Sequence, residues 1–284
     1  FYWHYGLFMF ASELKSFHKH PAFKKEINRQ ALHQFLQYGY IQAPLSIFTD
    51  THKLVPGHYL SFSITVKAYT IHKYWDVYDF YNKPKLNLSA SEAKTHTEQL
   101  LISACRYRMV SDVPVGVFLS GGYDSTAVAA LLQAHQSEKI KTYTIGFFEE
   151  DHNEAGFAKK VASHLQTDHT EHYCTTKEAQ EIIPDIPFYC DEPFGDSSII
   201  PTTLVSKLAR KDVTVALSAD AGDETFAGYT KYPLALDFLR KINQVPGPLK
   251  KTAGNLLNHV PNILLEKLTG NTAGVLQDLR HGRL

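Results

Sequence analysis

Val113-Pro114-Val115-Gly116-Val117-Phe118-Leu119-Ser120-Gly121-Gly122-Tyr123-Asp124-Ser125-Thr126 reads as a buried strand, a glycine turn and the start of a helix. Val115, Val117, Phe118 and Leu119 form the short apolar, β-branched run that a central parallel strand requires. Gly121 and Gly122 follow, where backbone can take positive φ and a ligand can approach without meeting a Cβ. Asp124, Ser125 and Thr126 supply capping side chains ahead of Ala127-Val128-Ala129-Ala130-Leu131-Leu132, a strong helix former. A strand, glycines and the exposed N–H groups of a helix start make an anion site, and the usual anion there is phosphate.

The residue order narrows the type of loop. No lysine follows the glycines, so it is not G-x-x-x-x-G-K-[ST], and the adjacent glycines do not spell G-x-G-x-x-G either. Ser120-Gly121-Gly122-Tyr123-Asp124-Ser125 resembles the pyrophosphate loop of the ATP pyrophosphatases, which cleave ATP to AMP and pyrophosphate to adenylate an oxygen of the substrate. A Gly-rich turn in any α/β protein accounts for Gly-Gly alone, but not for the whole stretch between a strand and a helix. The resemblance implies that ATP is bound and that Asp124 holds Mg²⁺, a hard cation that prefers carboxylate oxygens beside phosphate.

The chain downstream alternates. Strands are expected over Lys141–Phe147, Thr170–Cys174 and Val213–Leu217, and helices over Glu154–Leu165, Thr176–Ile183 and Ile199–Arg210. The expected inward face of 154–165 is Phe157, Ala158, Val161, Ala162 and Leu165. Upstream, Ser89–Met109 reads as one long helix capped by Ser89 or Ser91, with Ala93, Leu100, Leu101 and Ala104 at helical spacing and Arg106 and Arg108 near its end. The two arginines are expected to face solvent, with the nucleotide phosphates as the alternative. Such alternation implies an α/β fold with a doubly wound parallel sheet, whose ligands bind at the carboxyl ends of the strands.

Residues 1–80 differ in texture, being rich in aromatic and β-branched residues. Tyr2–Tyr5 and Leu7–Ala11 read as strands around Gly6, and Ser12–Lys15 as the start of a helical piece. Asn28–Gln37 reads as a helix with Leu32, Phe35 and Leu36 on one face. Leu54–Leu60 is a turn between strands, and 64–75 alternates like an edge hairpin. The best linker is Tyr81–Leu88, so the expected domains are 1–80 and 81–284. The chain opens on Phe1 in what reads as mid-strand, as expected of a sequence that starts inside a longer protein.

Composition is ordinary for a globular protein: 284 residues, 44% hydrophobic and 20% charged. Lys+Arg and Asp+Glu are both 29, which argues against a nucleic-acid or anionic-membrane partner. Cys105, Cys174 and Cys190 form neither a disulfide framework nor a zinc site, which fits a cytoplasmic setting. No run approaches the roughly 18 apolar residues of a membrane span.

Ser218-Ala219-Asp220-Ala221-Gly222-Asp223-Glu224 directly follows the last strand, and its carboxylates repel unless something positive sits between them. With Thr225-Phe226-Ala227-Gly228-Tyr229, it resembles the Ser-Gly-[Asp/Glu]-Gly-x-Asp-Glu-x-Phe-Gly-Gly-Tyr segment of glutamine-hydrolysing asparagine synthetases. Asp191-Glu192-Pro193-Phe194-Gly195-Asp196-Ser197-Ser198 is similar to that family's Asp-Glu-Pro-x-x-Asp-Ser, near its aspartate and ATP. Phe10–Lys15, Tyr38–Pro44 and Leu54–Leu60 resemble its domain junction. The similarity runs from about residue 7 to residue 232.

The resemblance implies an adenine nucleotide α-hydrolase-like synthetase domain behind the β-rich end of an N-terminal nucleophile glutaminase domain. It implies ATP-dependent amidation of aspartate to asparagine through β-aspartyl-AMP, with ammonia from glutamine. Its roles, carried over, are pyrophosphate binding for Ser120, Gly121, Gly122 and Ser125; Mg²⁺ for Asp124 and Asp223; the adenine pocket for Leu119 and Ile145; nucleotide contact for Ser218 and Ala219; and formation of the acyl adenylate for Asp220. A homodimer is left open. A sugar or β-lactam-forming amidotransferase relative stays open as well, as does a nucleotide-binding module without catalysis.

There are departures. Ala219, Ala221 and Ala227 stand where the family has glycine, and Tyr123 where it usually has Leu or Ile. If positive φ is needed, Ala costs on the order of 1 kcal/mol. The family's glutaminase Cys lies at the mature N-terminus, a role that none of the three cysteines can take. Its catalytic Lys sits in a Leu-x-Lys-x-Asp-Arg context, which Lys241, Lys250, Lys251 and Lys267 lack. Residues 233–284 read as helical, broken at Val245-Pro246-Gly247-Pro248.

Overall fold

The computed structural model describes residues 1–148 and 153–244. Lys250, Lys251, Lys267 and the break at 245–248 lie outside the described residues. By internal packing the chain divides into two compact units, Phe1–Ser218 and Ala219–Leu284.

The first unit holds a four-stranded parallel sheet of β5 (Val115–Phe118), β6 (Lys141–Phe147), β7 (Asp168–Cys174) and β8 (Val215–Leu217), in the order β7-β6-β5-β8. The chain therefore winds outward from β5 in one direction and returns to its other side with β8, which puts the topological switch at the end of β5. Alternate side chains of β5 face opposite layers, as strand geometry requires. Val117 joins Cys105, Leu119, Ala129, Leu132, Ile140, Ala158 and Ala162, and so packs under α3 (Ala90–Met109), α4 (Tyr123–Ala134) and α5 (Ala155–Leu165). Phe118 packs on the other face with Tyr143, Val205, Leu208, Ala209 and Val213, under α8 (Ile199–Ala209). Both faces are covered, as the doubly wound reading expects.

Two helices start at capping boxes, the one at Ser89 as the sequence reads it. Ser89 starts α3 through a capping box with Glu92, and Thr175 starts α6 (Thr176–Ile182) through one with Glu178. Side-chain facing differs in three places. Phe157 is 63% exposed, because α5 sits so close to the sheet that Ala155, Ala158 and Ala162 are its fully buried residues, with Val161 and Leu165 packed at their side as expected; a Cβ on Gly146 would come within 2.8 Å of the Ala155 methyl. In α3 Cys105 and Met109, about one turn apart, join the core, and Leu100 turns to solvent. In α1 (Arg29–Tyr38), Ala31 and Phe35 face the core, and Leu36 is exposed.

Residues 1–75 form a separate layer of the same unit. The hairpin β1 (Tyr2–His4) and β2 (Leu7–Met9) turns at Tyr5-Gly6, and a second hairpin pairs β3 (His58–Ser63) with β4 (Ala68–Lys73). Tyr2, Phe17, Phe23, Ala31, Ile41, Ile47 and Phe48 close its own core. The short helices α2 (Val77–Tyr81) and α7 (Ile186–Cys190) complete the unit. The second unit begins with α9 (Gly222–Phe226) and α10 (Lys231–Asn243). No helix among the described residues is long and apolar enough to cross a membrane. All three cysteines are free thiols.

Candidate active site

The loop between β5 and α4 is built from its own side chains. Gly121 takes φ +86°, and a Cβ there would come within 2.6 Å of the Ala158 nitrogen and 2.8 Å of Phe157. Only glycine satisfies both the conformation and the close approach to α5. Gly122 is the N-cap of α4, and no side chain caps that helix. The sequence expectation that Asp124, Ser125 and Thr126 cap α4 is corrected here: the N-cap is Gly122, two residues before the first of them, so these residues lie inside the helix's first turn. The Ser125 hydroxyl turns back instead, accepting from the Ser120 N–H at 3.2 Å, lying 3.0 Å from the Ser120 hydroxyl and donating to the Gly122 carbonyl at 3.3 Å. The Ser120 hydroxyl accepts from the Gly122 N–H at 3.2 Å.

A rigid turn thus leads into a helix N-terminus that no side chain covers, at the switch point of a parallel sheet. Its first-turn N–H groups and the positive end of the helix dipole suit an anion. Ser120 and Gly122 are exposed, Asp124 is half-buried in the first turn and Ser125 is buried. Tyr123 is 96% exposed at the mouth of this turn.

Leu119 and Ile145 are placed differently from each other. Leu119 is 1% exposed and its side chain lies in the core. Its N–H donates to the Tyr143 carbonyl at 2.9 Å, and its carbonyl accepts a short hydrogen bond from the Thr144 hydroxyl. Ile145 is half-buried near the end of β6. The Thr144 contact, which locks the loop's first residue to β6, was missed from the sequence; a hydroxyl in the middle of an apolar strand is the signal that could have shown it.

Ser218 ends the first unit just past β8. Ala219, Asp220, Ala221 and Asp223 belong to the second unit, whose first helix is a single turn. Ala221 and Ala227 flank that turn with φ +70° and +56°, both left-handed, whereas Ala219 is outside that region. The Ala221 carbonyl accepts from the Thr225 N–H at 3.1 Å and from its hydroxyl at 2.7 Å; Gly228 donates to the Asp223 carbonyl at 2.9 Å. Tyr229 donates to Glu224 at 3.1 Å, which raises the phenol pKa. Asp220 is exposed and Asp223 half-buried. Among the described residues no group of three His, Cys, Asp or Glu could hold a metal ion by itself. Mg²⁺ beside phosphates needs only one or two carboxylates, the remaining ligands being phosphate and water oxygens, so Asp124 in the uncovered first turn fits such an ion.

Arg106 and Arg108 lie exposed in the last turn of α3, where Arg108 donates to the Ala104 carbonyl at 3.1 Å. Lys241 lies in the last turn of α10.

The fold and the loop define a doubly wound α/β protein with a glycine phosphate-type loop at its switch point, behind a β-rich N-terminal layer. The sequence model of the asparagine synthase family matches residues 96–283, and that of the glutamine amidotransferase domain matches residues 1–75. The chain therefore belongs to the asparagine synthase family. A Methanocaldococcus jannaschii protein with a provisional asparagine synthetase name, glutamine-hydrolysing and numbered 2, is 37% identical over 281 residues, covering 94% of this chain and 52% of its own. Asparagine synthetase 1, glutamine-hydrolysing, of Bacillus subtilis is 30% identical over 251 residues, covering 87% of this chain and 37% of its own. The chain thus spans about half the length of the first of these relatives and less of the second.

Proposed function

We propose that the protein is an ATP-dependent carbon–nitrogen ligase that amidates aspartate to asparagine through β-aspartyl-AMP, with ammonia taken from glutamine in the full-length protein. The observation that carries the reading is the N-terminus of α4 behind Gly121, which no side chain caps, in a chain of the asparagine synthase family. In this reading residues 1–80 close the glutaminase-type domain, residues 81–284 belong to the synthetase domain, and the reaction is cytoplasmic.

A carboxylate is a poor electrophile. Its oxygen attacks the α-phosphorus of ATP, the bond to the β-phosphate oxygen breaks, and pyrophosphate leaves. Ammonia then adds to the activated acyl carbon, AMP leaves with the electron pair, and one ammonia proton is released. Ser120, Gly121, Gly122 and Ser125 are the residues that would hold the departing pyrophosphate through hydroxyl and N–H groups, stabilising charge that grows as the bond breaks. Bound at Asp124, Mg²⁺ would neutralise part of that charge. Leu119, whose side chain is committed to the core, would meet an adenine only through its backbone; Ile145 can offer a side chain. Ser218 and Ala219 keep their proposed nucleotide contact, Asp223 its role as a metal ligand and Asp220 its role in forming the acyl adenylate.

A second reading is favoured by Ala221 and Ala227, which hold left-handed backbone where the resemblance has glycine. It is a module that binds Mg-ATP without turning it over. The test is pyrophosphate release by the full-length protein with aspartate and ammonia, beside Asp124→Ala. Release that needs both aspartate and Asp124 supports the ligase. Release with another acid moves the substrate. Mg-ATP binding without release under any acceptor overturns the ligase in favour of the module.

A further inference from the structure

The segment Asp191–Gly195 follows α7 and precedes α8, yet its two carboxylates and the Gly195 N–H bond to residues 1–75. Asp191 has φ +63° at the end of α7, and its carboxylate is 9% exposed. It accepts from Lys15 at 2.9 Å, and this bond is the main cause of the raised Lys15 pKa. The same ammonium lies 3.0 Å from Glu13 and 5.0 Å from the centre of the Phe188 ring. One oxygen of Glu192 pairs with the Lys53 ammonium, which also donates to the Ile41 carbonyl at 2.6 Å. The other oxygen accepts from the Ile47 N–H at 3.3 Å. Gly195 donates to the Gly39 carbonyl at 2.7 Å, so close that a Cβ on Gly195 would sit 3.3 Å from Gly39.

Four anchors in a five-residue segment exceed what covering a surface needs. Both carboxylates pair with lysines of residues 1–75. The segment also leads straight into the sheet. Asp196 accepts from Ser198 at 2.8 Å at the start of α8, and α8 packs through Val205, Leu208 and Ala209 against Phe118 and Tyr143. Phe118 is the residue before the phosphate-type loop, and Tyr143 holds Leu119 by its carbonyl.

We propose that Lys15–Asp191 and Lys53–Glu192 form an ionic latch. Its lysines are positioning residues that hold the glutamine amidotransferase segment in register on the synthase segment, so that glutamine hydrolysis is coupled to amide formation. This rests on the ligase reading above, but it assigns residues and a coupling role which that reading does not contain.

The full-length protein carrying Lys15→Gln with Lys53→Gln is compared with the unchanged one. Ammonia-dependent pyrophosphate release is expected to stay within about twofold. Glutamine-dependent release should fall about tenfold, with glutamate formed per pyrophosphate rising well above one. Lys15→Asp alone should also raise that ratio, and the exchanged pair Lys15→Asp with Asp191→Lys should bring it back towards one. Equal loss with ammonia and with glutamine, or an unchanged ratio, overturns the latch. If the unchanged protein releases no pyrophosphate with any acceptor, the ligase reading fails on its own. The latch is then judged by amide exchange at Ile47 and Gly195, which must quicken in the double variant; no change there overturns it.

Discussion

The Ser125 hydroxyl lies 3.2 Å from the Ser120 amide nitrogen and 3.0 Å from the Ser120 hydroxyl, closing the glycine turn on itself from within the first turn of α4. Ser125→Ala removes the acceptor and leaves the Ser120 N–H without it, which should cost about 1 kcal/mol of stability on the usual scale for such a loss. Mg-ATP binding should weaken more than stability alone explains, because the loop is then no longer pre-shaped. Urea unfolding beside nucleotide titration checks this. Unchanged nucleotide affinity would remove Ser125 from the site.

Gly121→Ala should be more severe. It combines φ +86° with a Cβ pressed against the backbone of Ala158 and Phe157. Left-handed backbone costs an L-residue roughly 1–2 kcal/mol. Overpacking adds about 1–3 kcal/mol. The expected outcome is a loss of about 2–5 kcal/mol, or a soluble protein whose loop is displaced and which no longer binds Mg-ATP. Gly122→Ala is the matched control, since its Cβ would meet only the Ser120 hydroxyl, at 3.3 Å, with φ −68°. It should keep most of the stability, and equal losses in the two variants would refute the assigned role of Gly121.

The parallel sheet was legible because its strands carry local signals: β-branched runs in β5, β6 and β8, glycine and acidic turns after β5 and β8, and a cap at Ser89 ahead of α3. These depend on neighbours in the chain, which a sequence displays. The inward faces of α1, α3 and α5 were less legible. How near a helix lies to the sheet decides whether Phe157 or Ala158 can be buried, and that distance is set by Gly121 and Gly146 on other elements. The Lys15–Asp191 and Lys53–Glu192 pairs were not legible at all. The first joins residues 176 apart, and nothing local distinguishes those lysines from solvated ones. In the candidate site, the left-handed backbone at Ala221 and Ala227 could be foreseen as a condition, since glycine in the resembling segment marks either positive φ or close approach; the φ values select the first for those two positions.

Ala221→Gly and Ala227→Gly should therefore stabilise the second unit. Each relieves a left-handed cost of about 1–2 kcal/mol. Glycine gives back roughly 0.4–1 kcal/mol through the freer unfolded chain. A net gain of about 0.5–1 kcal/mol per site is expected. Ala219→Gly, without left-handed backbone, should instead be neutral or slightly destabilising. Denaturant unfolding of the three variants decides it. The same variants separate the two functional readings. If the alanines limit turnover, pyrophosphate release rises in the double glycine variant; if the module is a pure binder, it stays absent.

His169 makes the protein sensitive to mild acid. Its Nδ1 lies 2.9 Å from the Thr142 hydroxyl in the sheet, while Nε2 is buried with no partner among the described residues. Burial lowers its pKa; the Glu171 charge opposes this and Lys159 adds to it. His18 is likewise lowered by burial, then by Lys25. A histidine with a depressed folded pKa stays neutral in the fold while the unfolded chain begins to protonate near its ordinary value of about 6.5. Stability from this source is therefore complete above about pH 6.5, and is lost as the pH falls from there through the folded pKa. The urea midpoint should drop between pH 7.5 and pH 5.5, and His169→Gln should reduce the drop by removing the group that titrates. At pH 7.5 the variant should lose only what the Thr142 contact contributes, about 1 kcal/mol. An identical pH slope in the variant would show that His169 is not the group, and His18→Gln or His52→Gln, the other two histidines among the described residues lowered by burial, would then have to flatten it.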